Sequence, residues 1–305
     1  MTQTQMSLVF LTEEYVYKLK KPVDLGYVDY TTLDKRLYFC NREVELNRRL
    51  CPDVYLGVLP VTRDGNEIVI NGTGETVDYA VKMKRLPGDA MMDGLLTRDR
   101  VTPEMITRVA ERVADFHRKA DVISGFGDSA TITTNTEENF SQTEEYIGRT
   151  ITPEQYRRIM DYTRNFVREN SSLFEKRVAE GRVRDCHGDL HAAHICFVDN
   201  VCIYDCIEFN DRFRYCDVAA EVSFLAMDID RYEKPGLSSA FVDSYIEKSG
   251  DRQLLQLLGF YKGYFAYVRG KVEGFKLNDA LVSDEDKAKT LAVARKYFKL
   301  AESYL

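Results

Sequence analysis

The stretch CHGDLHAAHICF, residues 186–197, sets His187, His191 and His194 around Asp189, so three of the chain's four histidines fall within a single loop-sized segment. Imidazole and carboxylate groups at this density can ligate a metal or move a proton. A second acid, Asp205, follows in VCIYDC. HICF and VCIYDC read as two short strands around a turn at Asp199-Asn200. That reading puts His187-Gly188-Asp189 on the loop before a hairpin and Asp205 at the end of the returning strand. Two carboxylates on adjacent loops, near each other but distinct in role, suit metal-assisted phosphoryl transfer. One accepts or orients the proton of an attacking hydroxyl, and the other holds a divalent ion against the phosphates. The competing readings are a three-histidine zinc site and a structural cluster. The seven cysteines include no C-x-x-C pair, and structural zinc favours short paired spacings.

The elements that must carry these loops change character along the chain. Residues 1–84 read mostly as strands: SLVFLT and YVYKLK around a tight turn at Glu13-Glu14, then VYLGVLPVT, NEIVI and VDYAVKMK, with Asp64-Gly65 as a hairpin turn. One helix interrupts them near residues 32–50, with Thr32 as N-cap and apolar residues at Leu33, Leu37, Cys40 and Val44. After Pro87-Gly88 the pattern becomes helical. Thr102 and Thr152 each precede a proline at the first helical position, and Gln155 can close a capping box with Thr152. Residues 124–150, rich in Ser, Thr, Asn and Gly, read as a mobile surface segment between helices. The predicted fold class is α+β. A small five-stranded antiparallel lobe with one helix, residues 1–84, precedes a larger, mainly helical lobe, residues 85–305.

Composition excludes several classes of function. The net charge is -7 over 305 residues, and no basic run or basic-aromatic stripe occurs, which argues against nucleic-acid binding. No apolar run approaches the roughly 20 residues of a membrane span. The N-terminus MTQTQMSLVFLTEE lacks the basic and apolar regions of a signal peptide. Seven cysteines, an odd number without paired spacing, point to reduced thiols and a cytoplasmic protein.

The loop, the Tyr204-Asp205 pair and the downstream DVA starting at Asp217 together resemble the aminoglycoside-phosphotransferase and choline-kinase-like branch of the protein-kinase fold. That branch carries H-G-D-x-x-x-x-N, an I-D metal motif and an Asp before a helix. The longer run from Asp205 to Asp228 resembles an uncharacterised bacterial subgroup, often fused to a P-loop ATPase domain. No G-x-x-x-x-G-K-[ST] occurs here, so that domain is not expected in this chain. The resemblance implies that Asp189 is the catalytic base and Asp205 the magnesium ligand. It further implies that Asp217 braces the catalytic loop and His187 positions it. His191 matches a frequent histidine of the subgroup. One position departs: the family's second metal ligand is Asn, and here it is His194. Imidazole nitrogen suits Mg²⁺ poorly, so the second metal is expected to be lost, to be Mn²⁺-like, or to be held by another group such as Glu208.

A kinase-like small lobe also needs a strand lysine for the phosphates and a helix glutamate to pair with it. Val16, Lys18 and Lys20 share one face of YVYKLKK. Val16-Tyr17-Lys18 resembles the A-x-K of that strand, with Val16 under adenine and Lys18 on the phosphates; Lys20 is the alternative. On the helix Glu43 sits among apolar residues at helical spacing, where a lone charge is costly, and Lys18 would supply its partner. Glu45 sits among arginines instead. MKRLPGD resembles the family hinge, with backbone groups of Met83, Lys84, Arg85 and Leu86 against adenine. The turn at Thr12-Glu13-Glu14 is short and acidic and lacks the glycines that let backbone N–H groups cradle phosphate. Any family segment ahead of the first strand is not expected in this chain.

The resemblance implies ATP and Mg²⁺ (or Mn²⁺) as cofactors and a small-molecule hydroxyl as acceptor, with no nucleic acid and no membrane as partner. Tyr264, Tyr267, Arg269 and Lys271 on FYKGYFAYVRGKVEGF, together with Glu208, are the candidate acceptor contacts. The leading expectation is an ATP-dependent kinase. The alternative is a nucleotide-binding or scaffold module, a pseudokinase, that has lost turnover.

Overall fold

The computed structural model describes residues 2–278 and 282–305. The chain divides into two compact units: residues 1–101 with 187–214, and residues 102–186 with 215–305. The sequence boundary at residue 84 therefore falls inside the first unit. That unit keeps the segment up to Val101 and takes back the HGD loop and its hairpin.

The first unit is built on an antiparallel sheet of strands β1 (Thr2–Gln3), β2 (Ser7–Leu11), β3 (Tyr15–Lys20), β4 (Tyr55–Asp64), β5 (Glu67–Ile70) and β6 (Glu75–Lys84). Its order is β1-β2-β3-β6-β4-β5. The five predicted strands are there. The sixth is two-residue β1, too short to show a pattern, paired through Thr2 and Gln3 with Val9 and Leu8 of β2. The Asp64-Gly65 signal marks a real hairpin, since Gly65 has φ +66° and Asp64 pairs with Glu67.

Helix α1 (Leu33–Arg48) lies between β3 and β4 in sequence and packs on β4 and β6. Thr32 caps it, accepting the Lys35 N–H at 3.3 Å. Its buried residues Cys40, Glu43, Val44 and Asn47 recur at helical spacing. Cys40 and Val44 join Val54, Tyr55, Val81 and Met83 in an apolar core, with Val16, Val58 and Leu86 packed against it. Glu43 and Asn47 put polar atoms on this same buried face, and both are spent on the site below.

A second hairpin, Ile195–Phe197 with Val201–Ile203, carries the HGD loop and Asp205 on its two ends. A disulfide joins Cys202 on this hairpin to Cys51, just past α1. This corrects the expectation that every thiol is reduced. The two cysteines are 151 residues apart, so no local spacing could reveal the pair. Cys40, Cys186, Cys196, Cys206 and Cys216 are free thiols. Protein unfolded without reductant should therefore alkylate at five cysteines and leave Cys51 and Cys202 unmodified. Labelling of both in a peptide map would show that the bridge does not form.

The second unit is mainly helical. Its long helices include Pro103–Lys119, Pro153–Glu169, Val218–Arg231, Leu255–Phe275 and Asp284–Glu302. The Thr152 capping box forms in full, with Gln155 N–H on Thr152 Oγ1 at 3.1 Å and Thr152 N–H on Gln155 Oε1 at 3.2 Å. Residues 124–150 correct the sequence reading, because Ser129–Thr143 is a helix capped by Asp128. Its hydroxyls bond back along the helix, Thr133 to Ser129 at 2.8 Å and Thr143 to Asn139 at 2.7 Å. Phe140 anchors it in the core. Propensity alone disfavours such a helix, and tertiary burial overrides it. No helix among the described residues is long and apolar enough to cross a membrane.

The core of this unit also holds an ion cluster. His117 bonds Glu221 at 2.7 Å and the Tyr245 hydroxyl at 2.8 Å. Burial opposes its charge, but Cys186 and Glu221 against it outweigh burial and push its pKa up to about 9. The ordinary value is ~6.5, so the charged pair contributes its full stability below that pH. The contribution falls away as pH rises through about 9. Urea midpoints of wild type should drop across this window. A Glu221→Gln variant should lose that component of the drop, and identical pH profiles would contradict the assignment.

Candidate active site

The predicted site residues of the first unit converge. Lys18 on β3 directs Nζ to Glu43 Oε1 at 2.9 Å and to Asp205 Oδ1 at 2.7 Å. Lys20, two residues along the same strand face, pairs with Glu43 Oε2 at 2.8 Å and with Glu208. Tyr30 donates to Glu208 Oε1 at 2.6 Å. The result is one row of alternating charge: Asp205, Lys18, Glu43, Lys20, Glu208. Burial would neutralise these groups, but the opposite charges prevail. Both lysines are raised well above their ordinary pKa, and Glu43 and Asp205 are lowered below theirs.

The row separates the two lysines. Lys20 is 1% exposed along its side chain and Lys18 is 17% exposed. Lys18 is the more exposed of the two and lies beside Asp205, whose side chain is 40% exposed. Glu208, read as a candidate metal or acceptor contact, is buried and committed to Lys20 and Tyr30. A buried lysine needs a carboxylate, and Glu208 supplies it.

The backbone around Asp205 is held from several sides. Asp205 has φ +64°, a left-handed conformation uncommon outside glycine. Its N–H donates to the Tyr55 hydroxyl at 3.2 Å, and the next N–H, of Cys206, donates to Asn47 Oδ1 at 2.9 Å. Asn47 lies one turn beyond Glu43 on α1, so one helix face fixes both the lysine pair and the backbone beside Asp205. Sequence reasoning missed Asn47, Tyr30 and Tyr55. The i, i+4 spacing of Glu43 and Asn47 was the available signal.

His187 ties the HGD loop to the same motif. Its Nδ1 accepts the Asp189 N–H at 3.3 Å, and its Nε2 donates to the Tyr204 carbonyl at 3.0 Å. Gly188 has φ +86°, and a Cβ there would meet the Phe213 carbonyl oxygen at 3.0 Å. Glycine is required on both counts. His194 donates from Nδ1 to the Asp189 carbonyl at 3.0 Å. Burial and the neighbouring His191 hold the His194 pKa down at about 4, so its imidazole is neutral near pH 7.

The residues expected against the nucleotide base lie on β3, on β6 and just after it. Val16 and Met83 are register partners on β3 and β6 and face the apolar core together. Of the hinge N–H groups, Lys84 donates to Val54 O at 2.9 Å and Arg85 to Glu14 O at 2.8 Å. Glu13 and Glu14 are exposed in the turn between β2 and β3, as expected.

The second unit does not gather the expected acceptor residues into an open face. Tyr267 is 3% exposed in the aromatic core. Lys271 is buried and bonds Asn139 and Gln142, each at 2.6 Å. Tyr264 and Tyr267 line a gap of about 10 Å³, room for no more than a water. Arg269 interacts with Tyr297. These contacts belong to helix packing. Asp217 receives Arg177 at 2.5 and 2.7 Å and caps its own helix through the Ala219 N–H at 2.8 Å.

No protein-family model matches the chain. An uncharacterised protein of Mycobacterium tuberculosis is 30% identical over 275 residues, 89% of this chain. The chain spans about half the length of that relative, 54% of it. Among solved structures, the aminoglycoside phosphotransferase APH(2")-IIia in complex with GDP and kanamycin aligns over 97% of this chain and 91% of its own, with a TM-score of 0.54 and 13% identity. A glucosamine kinase in complex with glucosamine, ADP and inorganic phosphate aligns over 95% of this chain and 74% of its own, with a TM-score of 0.50 and 12% identity. At such identities the likeness is one of fold. The chain has the protein-kinase-like fold of the aminoglycoside phosphotransferases and related small-molecule kinases.

Proposed function

We propose that the chain is a phosphotransferase that moves the terminal phosphate of a purine nucleoside triphosphate to a hydroxyl of a small molecule. The observation that carries this reading is Lys18 Nζ, held between Glu43 at 2.9 Å and Asp205 at 2.7 Å. A strand lysine fixed by a helix glutamate beside a metal-motif aspartate is the arrangement that phosphoryl transfer in this fold uses. The donor is ATP or GTP, since similar folds are solved with ADP and with GDP.

Each residue then has a task. Val16, Met83 and Leu86 take the base, with the Leu86 N–H on its edge. Lys18 exchanges Asp205 for phosphate oxygens when nucleotide enters, while Glu43 keeps its ammonium in place. A divalent ion, when bound, neutralises charge on the phosphates. The Asp205 carboxylate fits Mg²⁺, which prefers oxygen; the His194 nitrogen does not. Asp189 accepts or orients the acceptor's proton, and His187 holds Asp189 to the metal motif. Asp217 stiffens the helix that begins at Val218.

The acceptor class rests on neighbours that bind kanamycin and glucosamine, both carrying several hydroxyls. The test is transfer of labelled terminal phosphate from ATP or GTP to a panel of aminoglycosides, amino sugars and amino alcohols. A labelled small-molecule product supports the reading. Nucleotide binding without transfer to any acceptor would favour a module that has lost turnover, a reading the acidic turn at Glu13-Glu14 and the substitution at His194 also support.

A further inference from the structure

The HGD loop carries two imidazoles where phosphoryl transfer uses none as a ligand, and both face the same carboxylate. His191 Nε2 lies 3.5 Å from Asp189 Oδ2, and His194 Nδ1 lies 3.5 Å from the same oxygen. The two rings sit against each other with centroids 4.0 Å apart. Asp189, His191 and His194 each offer one ligand atom, all within 4.8 Å of one another. On its other side His194 Nε2 is 3.5 Å from Asp205 Oδ2. Tetrahedral bonds of about 2.0–2.2 Å separate neighbouring ligand atoms by roughly 3.3–3.6 Å. The His191 Nε2–Asp189 Oδ2 and His194 Nε2–Asp205 Oδ2 spacings match that figure.

His187 stays outside the set, because Tyr204 and Asp189 N–H occupy its two nitrogens. So the geometry yields two histidines and a carboxylate, with a second carboxylate beside them, and not three histidines. His194 donates Nδ1–H to the Asp189 carbonyl, the outer contact that metal-binding imidazoles commonly make; it leaves the lone pair on Nε2, toward Asp205.

We propose that Asp189, His191 and His194, with Asp205 alongside, form a binding site for a first-row transition-metal ion such as Zn²⁺ or Co²⁺. Mixed imidazole and carboxylate donors favour these ions over Mg²⁺. The ion takes the Asp189 oxygen that faces His191 Nε2, so it competes with the acceptor hydroxyl. That consequence rests on the phosphotransferase reading; the binding itself does not.

The test is Co²⁺ titration of the full chain without nucleotide, read by visible d–d absorption, for wild type and for His191→Asn and His194→Asn. Wild type should develop these bands, and excess Mg²⁺ should not remove them. Each variant should weaken Co²⁺ binding at least about 10- to 100-fold, with thermal melting showing that it remains folded. Absence of bands in wild type overturns the site without any variant. So do bands unchanged in both variants, or a sulfur charge-transfer band, which would put the ion on thiolates such as Cys186. A separate nucleotide titration keeps the two readings apart. Bands without nucleotide binding support the metal site and count against the phosphotransferase. Nucleotide binding without bands overturns the metal site alone.

Discussion

Asp189→Asn should reduce phosphoryl transfer by about 10²- to 10⁴-fold, the range for removing a positioned general base, and leave nucleotide affinity almost unchanged. The amide keeps the size of the carboxylate but cannot take the acceptor's proton. The loop should survive the change, since His187 binds the Asp189 N–H and His194 binds the Asp189 carbonyl, both backbone groups. Affinity should survive because the base slot and Lys18 are separate from Asp189. Steady-state rates combined with calorimetry on the same preparation check both halves. A variant that transfers at the wild-type rate would remove Asp189 from catalysis. A variant that loses nucleotide binding as well would make it a binding residue.

Lys20→Met should cost about 3–5 kcal/mol of stability, the usual price of breaking a buried ion pair from one side. Methionine fills most of the volume, so the loss isolates the charge. Glu43 is fully buried and Glu208 is 6% exposed. Without Lys20, Lys18 alone would face Glu43, Asp205 and Glu208. Lys18→Met should behave differently: a smaller stability loss, because Lys18 is partly exposed, but a large loss of nucleotide binding. Denaturant midpoints and nucleotide titrations on both variants separate the roles. Equal stability losses, or a Lys20→Met protein as stable as wild type, would contradict the division.

That division marks where sequence reading stops. The period-two pattern put Lys18 and Lys20 on one strand face, and buried helical spacing selected Glu43 over Glu45. Those are local signals, and they were legible. Which lysine faces the ligand depends on Glu208 and Tyr30, which lie 188 and 10 residues from Lys20, and no local pattern encodes that. The HGD loop and Asp205 were legible because turn and strand signals bracket them. The Cys51–Cys202 bridge was not, for its partners share no motif. Residues 129–143 misled because hydroxyl and amide side chains favour turns in isolation, and only burial of Phe140 and back-bonding threonines make that stretch helical. The aromatic face of Leu255–Phe275 was open in sequence to two readings, an acceptor surface or an aromatic core face. Tyrosines and lysines at helical spacing look like a binding surface, yet they pack and pair inside the second unit.

The most direct measurement is a calorimetric titration of the purified chain with ATP and with GTP, each in Mg²⁺, in Mn²⁺ and in EDTA. The account predicts binding of at least one nucleotide that strengthens with a divalent ion and weakens in Asp205→Ala. Failure of both nucleotides to bind under every condition would contradict it.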